Sequence, residues 1–244
     1  MFEKLLSFLR GPADTPPDPG SAAETTAGSI AAASDSPDQA IAFGYKTGWL
    51  AIRSEDPSAV AEALGLTDLT PANWQTGLVR AIETDGLIFV TPPLSGWVLA
   101  VTGLDLGADS KENLAAVVSR LRTCSKQFGE AQMFGSYRVV DYVAWIRAVD
   151  GGIVRAFVAG DGQYFANIGR TTDAERAVGL GDISNLTLDQ LVDLMAEEND
   201  TTRHYDEEDP ARIAGHWSLD PLKLEDDPDR PTGTGLLGTL PTAG

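Results

Sequence analysis

Residues 133–169 read MFGSYRVVDYVAWIRAVDGGIVRAFVAGDGQYFANIG, and this stretch decides the fold. Asp150-Gly151 and Asp161-Gly162 are dipeptides that tolerate the positive φ of a tight type I′ turn, and each is flanked by β-branched and aromatic residues. The spacing predicts three strands, Tyr137–Val149, Ile153–Ala159 and Tyr164–Ile168. They pair antiparallel, because so short a connection leaves no room for a crossover.

Working outward on the N-terminal side, Lys111 to Gln127 carries Leu114, Val117, Val118 and Leu121 at helical spacing, with Phe128 just beyond and Ser110 or Asp109 as cap. Cys124 lies on or beside that stripe as the only cysteine, which excludes an internal disulfide and a cysteine-based zinc site. Gly96–Thr102 is apolar at every position from Trp97 to Val101, the mark of an interior strand. Gly77–Glu83 and Leu87–Thr91 flank a third such dipeptide, Asp85-Gly86, and read as another hairpin. Phe43–Arg53 reads as a strand, and Ser54-Glu-Asp-Pro57 opens a helix through Val60, Ala63 and Leu64. The expected class is α+β, a mostly antiparallel sheet with helices packed on it. The order strand-helix-strand-strand, seen once in 43–91 and again from Gly96, allows two βαββ-like halves.

On the C-terminal side, Thr172 with Glu175 and Thr187 with Gln190 fit capping boxes. Helices follow through Leu188, Leu191, Val192 and Met195, and from Asp209-Pro210 through Ile213, Ala214 and Trp217 to a stop at Pro221. These elements make one domain over residues 40–224. Phe2, Leu5, Leu6 and Leu9 form one face of a short amphipathic helix, and 13–39, poor in large apolar residues, reads as a disordered linker. Residues 225–244 read as a disordered acidic and Gly/Pro-rich tail. No signal peptide or membrane span is legible, so the expectation is a soluble, cytoplasmic protein whose only membrane contact would be a weak one through residues 1–10.

The chain carries 36 acidic and 18 basic side chains, a formal charge of −18. That argues against nucleic acid and is compatible with a basic partner. Segments 1–39, 40–186 and 187–244 carry nets of −4, −4 and −10. Two candidate sites emerge. Asp141, Trp145 and Arg147 alternate along one strand and share a sheet face, where they would line a recognition surface or form a salt-bridged border of the core. Asp206, Glu207, Glu208 and Asp209, with Glu197, Glu198 and Asp200 upstream, offer either a surface for a basic partner or a solvated helix N-terminus favoured by the dipole. His204 and His216 are the only histidines, too few for a His-rich metal site. Gly233-x-Gly-x-x-Gly238 has dinucleotide-fingerprint spacing but lacks the strand before and helix after that the motif needs. No metal, cofactor or catalytic residue is assigned.

Phe134-Gly-Ser-Tyr-Arg138-Val-Val-Asp141-Tyr-Val-Ala-Trp145, Asp150-Gly151, Arg155-Ala-Phe157, Gly169, Thr172-x-x-Glu175 and Trp217-Ser-Leu-Asp-Pro221 together resemble a group of uncharacterised bacterial proteins. Some of these are similar to immunity proteins that neutralise contact-delivered toxins. The resemblance spans residues 40–222 and implies a non-enzymatic bacterial protein that binds a protein partner, a toxin or other basic molecule. Two other readings stand beside it, a hydrolase or transferase that works with carboxylates on the sheet face and a membrane-associated adaptor.

Overall fold

A computed structural model of the chain describes residues 35–103, 108, 110–196, 205–228 and 230–241. The amphipathic helix expected in residues 1–10, most of the expected linker, His204 and the acids Glu197, Glu198 and Asp200 lie outside them. The order of elements is β1 (Asp38–Gln39), β2 (Thr47–Ile52), α1 (Pro57–Ala63), β3 (Thr67–Asn73), α2 (Trp74–Glu83), β4 (Leu87–Val90), β5 (Val98–Thr102) and α3 (Lys111–Phe128). It continues with β6 (Glu130–Tyr137), β7 (Tyr142–Val149), β8 (Gly152–Gly160), β9 (Gln163–Ile168), α4 (Asp173–Ala177), α5 (Leu188–Ala196), α6 (Asp209–Trp217) and β10 (Thr232–Thr239). All ten strands join one sheet in the order β1-β10-β4-β5-β2-β6-β7-β8-β9, with β3 also pairing β10. The class is α+β with antiparallel pairing throughout.

Both sheet faces are apolar, so helices cover both. Trp49, Phe89, Leu99, Phe134, Trp145 and Phe157 face α2, α4, α5 and α6. Leu50, Ile52, Val98, Met133, Ile146 and Val158 face α1 and α3, and Cys124 is buried among them. Burial pushes the Cys124 thiol up to about 11, which makes it a packing residue rather than a nucleophile at neutral pH. In the centre, β2 is buried at all six positions and β5 at all five.

The two Asp-Gly turns form as read: Asp150 and Gly151 have φ of 49° and 82°, Asp161 and Gly162 of 51° and 67°. They close the β7–β8 and β8–β9 hairpins. The deciding stretch holds four strands, not three. Tyr137 ends β6, a 3-10 turn over Arg138–Val140 follows, and β7 starts at Tyr142. Both capping boxes form, since Thr172 and Glu175 bond reciprocally, as do Thr187 and Gln190.

Three expectations are corrected. Gly77–Glu83 is not a strand; it belongs to α2. The Asn73 side chain accepts from the Thr76 N–H (3.0 Å), and Asp38 reaches in from β1 to accept from the N–H groups of Trp74 (2.6 Å) and Gln75 (3.0 Å). With these donors satisfied, Trp74, Leu78 and Ala81 bury one helical stripe. Residues 43–91 therefore read strand-helix-strand-helix-strand, and the two halves do not share an order. The linker ends earlier than residue 39, because Ser36 and Asp35 carbonyls accept from Asn73 and Thr234 while Asp38–Gln39 pairs with β10. Nor is 225–244 a disordered tail: Thr232–Thr239 is a strand, paired with β3 along one edge and β4 along the other.

Candidate functional site

At one end of the sheet the turn between β6 and β7 meets the turn between β8 and β9, where the Asp161 N–H donates to the Val140 carbonyl at 2.7 Å. Asp141, in the left-handed region at φ 48°, caps the 3-10 turn directly before β7. The run that leads into α6 crosses above this corner, held by the Ser136 hydroxyl donating to the Glu207 carbonyl at 2.8 Å. Between them opens a cleft of about 620 Å³. Its apolar wall is Val143, Val192, Tyr142, Tyr164 and Tyr205, and its charged rim is Arg138, Asp141, Asp206 and Glu207.

The two inner tyrosines are the best-fixed part of the wall. Their rings stand at 89° with centroids 6.4 Å apart, and both pack edge-on against Phe157, at 5.9 Å for Tyr164 and 5.5 Å for Tyr205. Burial raises the Tyr164 pKa well above the ordinary phenol range, reinforced by the charge of and hydrogen bond to Tyr205. Burial also raises Tyr205; its bond to Tyr164 opposes the shift and the nearby Asp141 carboxylate adds to it. A phenol whose folded pKa exceeds its unfolded value holds its proton longer in the native state. Its contribution to stability is therefore intact below the unfolded value of 10.0 and is lost as pH climbs beyond it. Alkaline titration of wild type and Tyr164→Phe checks this: the variant is expected to lose less stability between pH 10 and 12. Equal pH slopes for the two proteins would refute it.

The acidic run divides its work. Asp209 is fully buried, and its carboxylate accepts the Asp206 N–H at 2.8 Å, while the Asp206 carboxylate accepts the Glu208 N–H at 2.9 Å. Arg212, one turn into α6, reaches back to Asp206 (3.2 Å), Asp209 (3.4 Å) and Glu208. Most of this charge thus serves the start of α6 and its own arginine. Glu208 also accepts from the Tyr45 hydroxyl at 3.5 Å. Glu207 faces the cleft, 3.7 Å from Arg138, itself 78% exposed.

The sequence candidates are consequently regrouped. Asp141, Asp206 and Glu207 come together on one cleft, joining the two sites that were read separately. Trp145 leaves the set: it is fully buried, stacked on Phe157 at 4.5 Å, and its indole N–H donates to Glu175 at 3.0 Å. Arg147 sits toward the far end of β7, paired with Glu130 at 2.7 Å and lying 5.8 Å from the Trp217 ring. Residues 141, 145 and 147 do share strand parity, but the two ends of an eight-residue strand face different surroundings. Tyr164, Tyr205 and Arg138 were not singled out in the sequence. The single available signal was Tyr205, an aromatic residue directly before an acidic run.

A second cleft, of about 670 Å³, lies along α6 between Arg212, His216, Asp220 and Lys223. Lys223 is paired with Asp220 at 3.4 Å. Among the described residues no group of three or more His, Cys, Asp or Glu side chains is arranged to hold a metal ion. No helix among them is long and apolar enough to cross a membrane. The segment 233–238 is strand β10 rather than a loop before a helix, so its glycines cradle no pyrophosphate. No family model matches the chain, and comparison with curated proteins and with solved structures found no match.

Proposed function

We propose that the protein is a non-enzymatic binding module for a basic protein partner, with the cleft at Asp141 and Glu207 as the contact. A toxin of the kind neutralised by immunity proteins is the occupant that the sequence resemblance suggests. The observation that carries the reading is the meeting of three carboxylates, Asp141, Asp206 and Glu207, with the Tyr164 and Tyr205 rings in one cleft. A lysine or arginine side chain entering it meets carboxylates at the rim and aromatic rings behind, so ion pairing and cation–π attraction act on the same group. The charge of −18 supports the same partner chemistry over a longer range, by steering a basic molecule toward the surface. The fully buried carboxylates, Glu175 and Asp209, are bonded inside the fold and do not line the cleft. That places the cleft's charge at its rim, which suits recognition better than proton transfer in a dry site.

The test is affinity capture from host extract with wild-type bait and with the double substitution Asp141→Asn, Glu207→Gln. A specific partner is expected to be held at about 0.05 M salt and lost at about 0.5 M, as screening shortens the reach of exposed charges. Its affinity for the double variant is expected to fall about tenfold, mainly through a slower association rate. A partner that binds both baits equally would place the interface elsewhere.

A further inference from the structure

We propose that the groove between β3 and β4 is a strand-binding site, filled within the chain by β10, and that it accepts the same strand from a second copy of the protein. The groove is shaped for one kind of donor. A Cβ at Gly235 would lie 2.2 Å from the Val90 carbonyl oxygen, one at Gly238 2.6 Å from Leu69 Cδ2, and one at Gly233 2.9 Å from Pro92 Cγ. The clash at Gly235 is with backbone, which only glycine avoids, whereas a side chain at Gly238 or Gly233 would press on the Leu69 and Pro92 side chains. The spacing that resembles a phosphate loop is thus one glycine-only subsite flanked by two tight ones along a sheet.

β10 is held by many backbone bonds and few side chains. Its residues 236–239 pair with β4 on one side, and on the other Thr234, Gly235, Leu236, Leu237 and Thr239 pair with β3 while Thr232 and Gly233 pair with β1. From Thr232 to Leu240 the only apolar side chains are Leu236, Leu237 and Leu240, and Leu237 alone is fully buried among them. Interior strands such as β2 bury every residue. Main-chain bonding with a few anchoring pockets is how a strand is recognised from outside. The connection to the rest of the chain is also the kind that opens: Glu225 to Pro228 are exposed. It folds through two turns, Asp226 N–H to the Lys223 carbonyl and Arg230 N–H to the Asp227 carbonyl, each 3.1 Å. Its ties to the rest of the fold include Glu225 to the Ala42 N–H at 3.1 Å, Arg230 to Gln39 at 3.2 Å and the Ala40 N–H to the Pro231 carbonyl at 3.0 Å. Extended, the eight steps from Leu224 to Thr232 reach roughly 26 Å, enough to carry β10 to a neighbouring copy. The exchange is reciprocal, so it closes as a two-fold dimer.

The experiment mixes two full-length preparations with different affinity tags, captures one tag and measures the other. Mixed dimers are expected to accumulate with time and concentration, and roughly tenfold faster when both chains carry Leu237→Ala, which removes the deepest anchor. An excess of a synthetic peptide spanning Arg230–Gly244 is expected to suppress them, and the same peptide with Gly235→Val is expected not to. The proposal is overturned if neither wild type nor Leu237→Ala yields a mixed species, or if the two peptides suppress it equally.

Discussion

Glu175→Ala is expected to destabilise the protein by about 3–5 kcal/mol, the loss typical of removing one partner from a buried ion pair. Glu175 and Arg155 are both fully buried, 2.6 Å apart on the sheet face covered by α4. The carboxylate also accepts from the Trp145 indole (3.0 Å) and from the Thr172 N–H (2.7 Å) and hydroxyl (2.8 Å). The guanidinium spends its remaining donors on Asn167 Oδ1 (2.8 Å) and the carbonyls of Ala156 (3.2 Å) and Ile168 (3.0 Å). Asn167 in turn donates to the Ile183 and Leu186 carbonyls, both at 2.9 Å. One bonded chain therefore runs from β7 through β8 and β9 to the segment that leads into α5. Truncating Glu175 leaves a charge stranded in that chain. Arg155 also stands opposite Arg147 in the β7–β8 register, a like-charge pair made tolerable because Glu130 serves one and Glu175 the other. Urea unfolding with an unchanged slope measures the loss. The double replacement Arg155→Met, Glu175→Leu is expected to cost less than Glu175→Ala, since no unpaired charge remains. A single-variant loss under about 1 kcal/mol would mean that water enters and replaces the carboxylate.

The second large effect is Gly77→Ala, for which a loss of about 3 kcal/mol is expected from overpacking. A Cβ there would fall 2.2 Å from Phe89 Cδ2, far inside contact distance. The ring has nowhere to go. It meets Trp74 edge-on at 5.7 Å, and its other side is closed by Gly235 of β10, where a built Cβ would be 2.8 Å from Phe89 Cε2. The ring is gripped between two glycines on different elements. Phe89→Leu in the Gly77→Ala background is expected to return part of the loss, and a double-mutant cycle reads the coupling. Additive costs with no recovery would show that the ring escapes by another route.

These cases show which parts of the fold the sequence displays. Asp150-Gly151 and Asp161-Gly162 were legible because their backbone preference is local, and the capping boxes at Thr172 and Thr187 for the same reason. Asp85-Gly86 carries the same dipeptide yet follows a helix, because α2 is decided from a distance by Asp38, 36 residues before the N–H it caps. β10 was unreadable: all eight of its positions are Thr, Gly or Leu in an order that looks like a breaker, and only two waiting strand edges make it a strand. At the site, the acidic run was legible as a helix start. Its meeting with Asp141 was not, since that depends on how two turns abut, and neither was the burial of Trp145 against a glutamate 30 residues later.

The pairing of β3 with β10 also sets a delay. Asn73 and Thr232 are separated by most of the chain, and at a synthesis rate of about 5–20 residues per second β3 waits on the order of 8 to 30 s for the strand that completes it. Throughout that interval β3 and β4 present open edges while β5 to β9 assemble beside them. An unpaired strand edge is a template for another chain, so during synthesis the exposure to mispairing lies at β3 and β4 rather than at the hairpins that close within moments of being made.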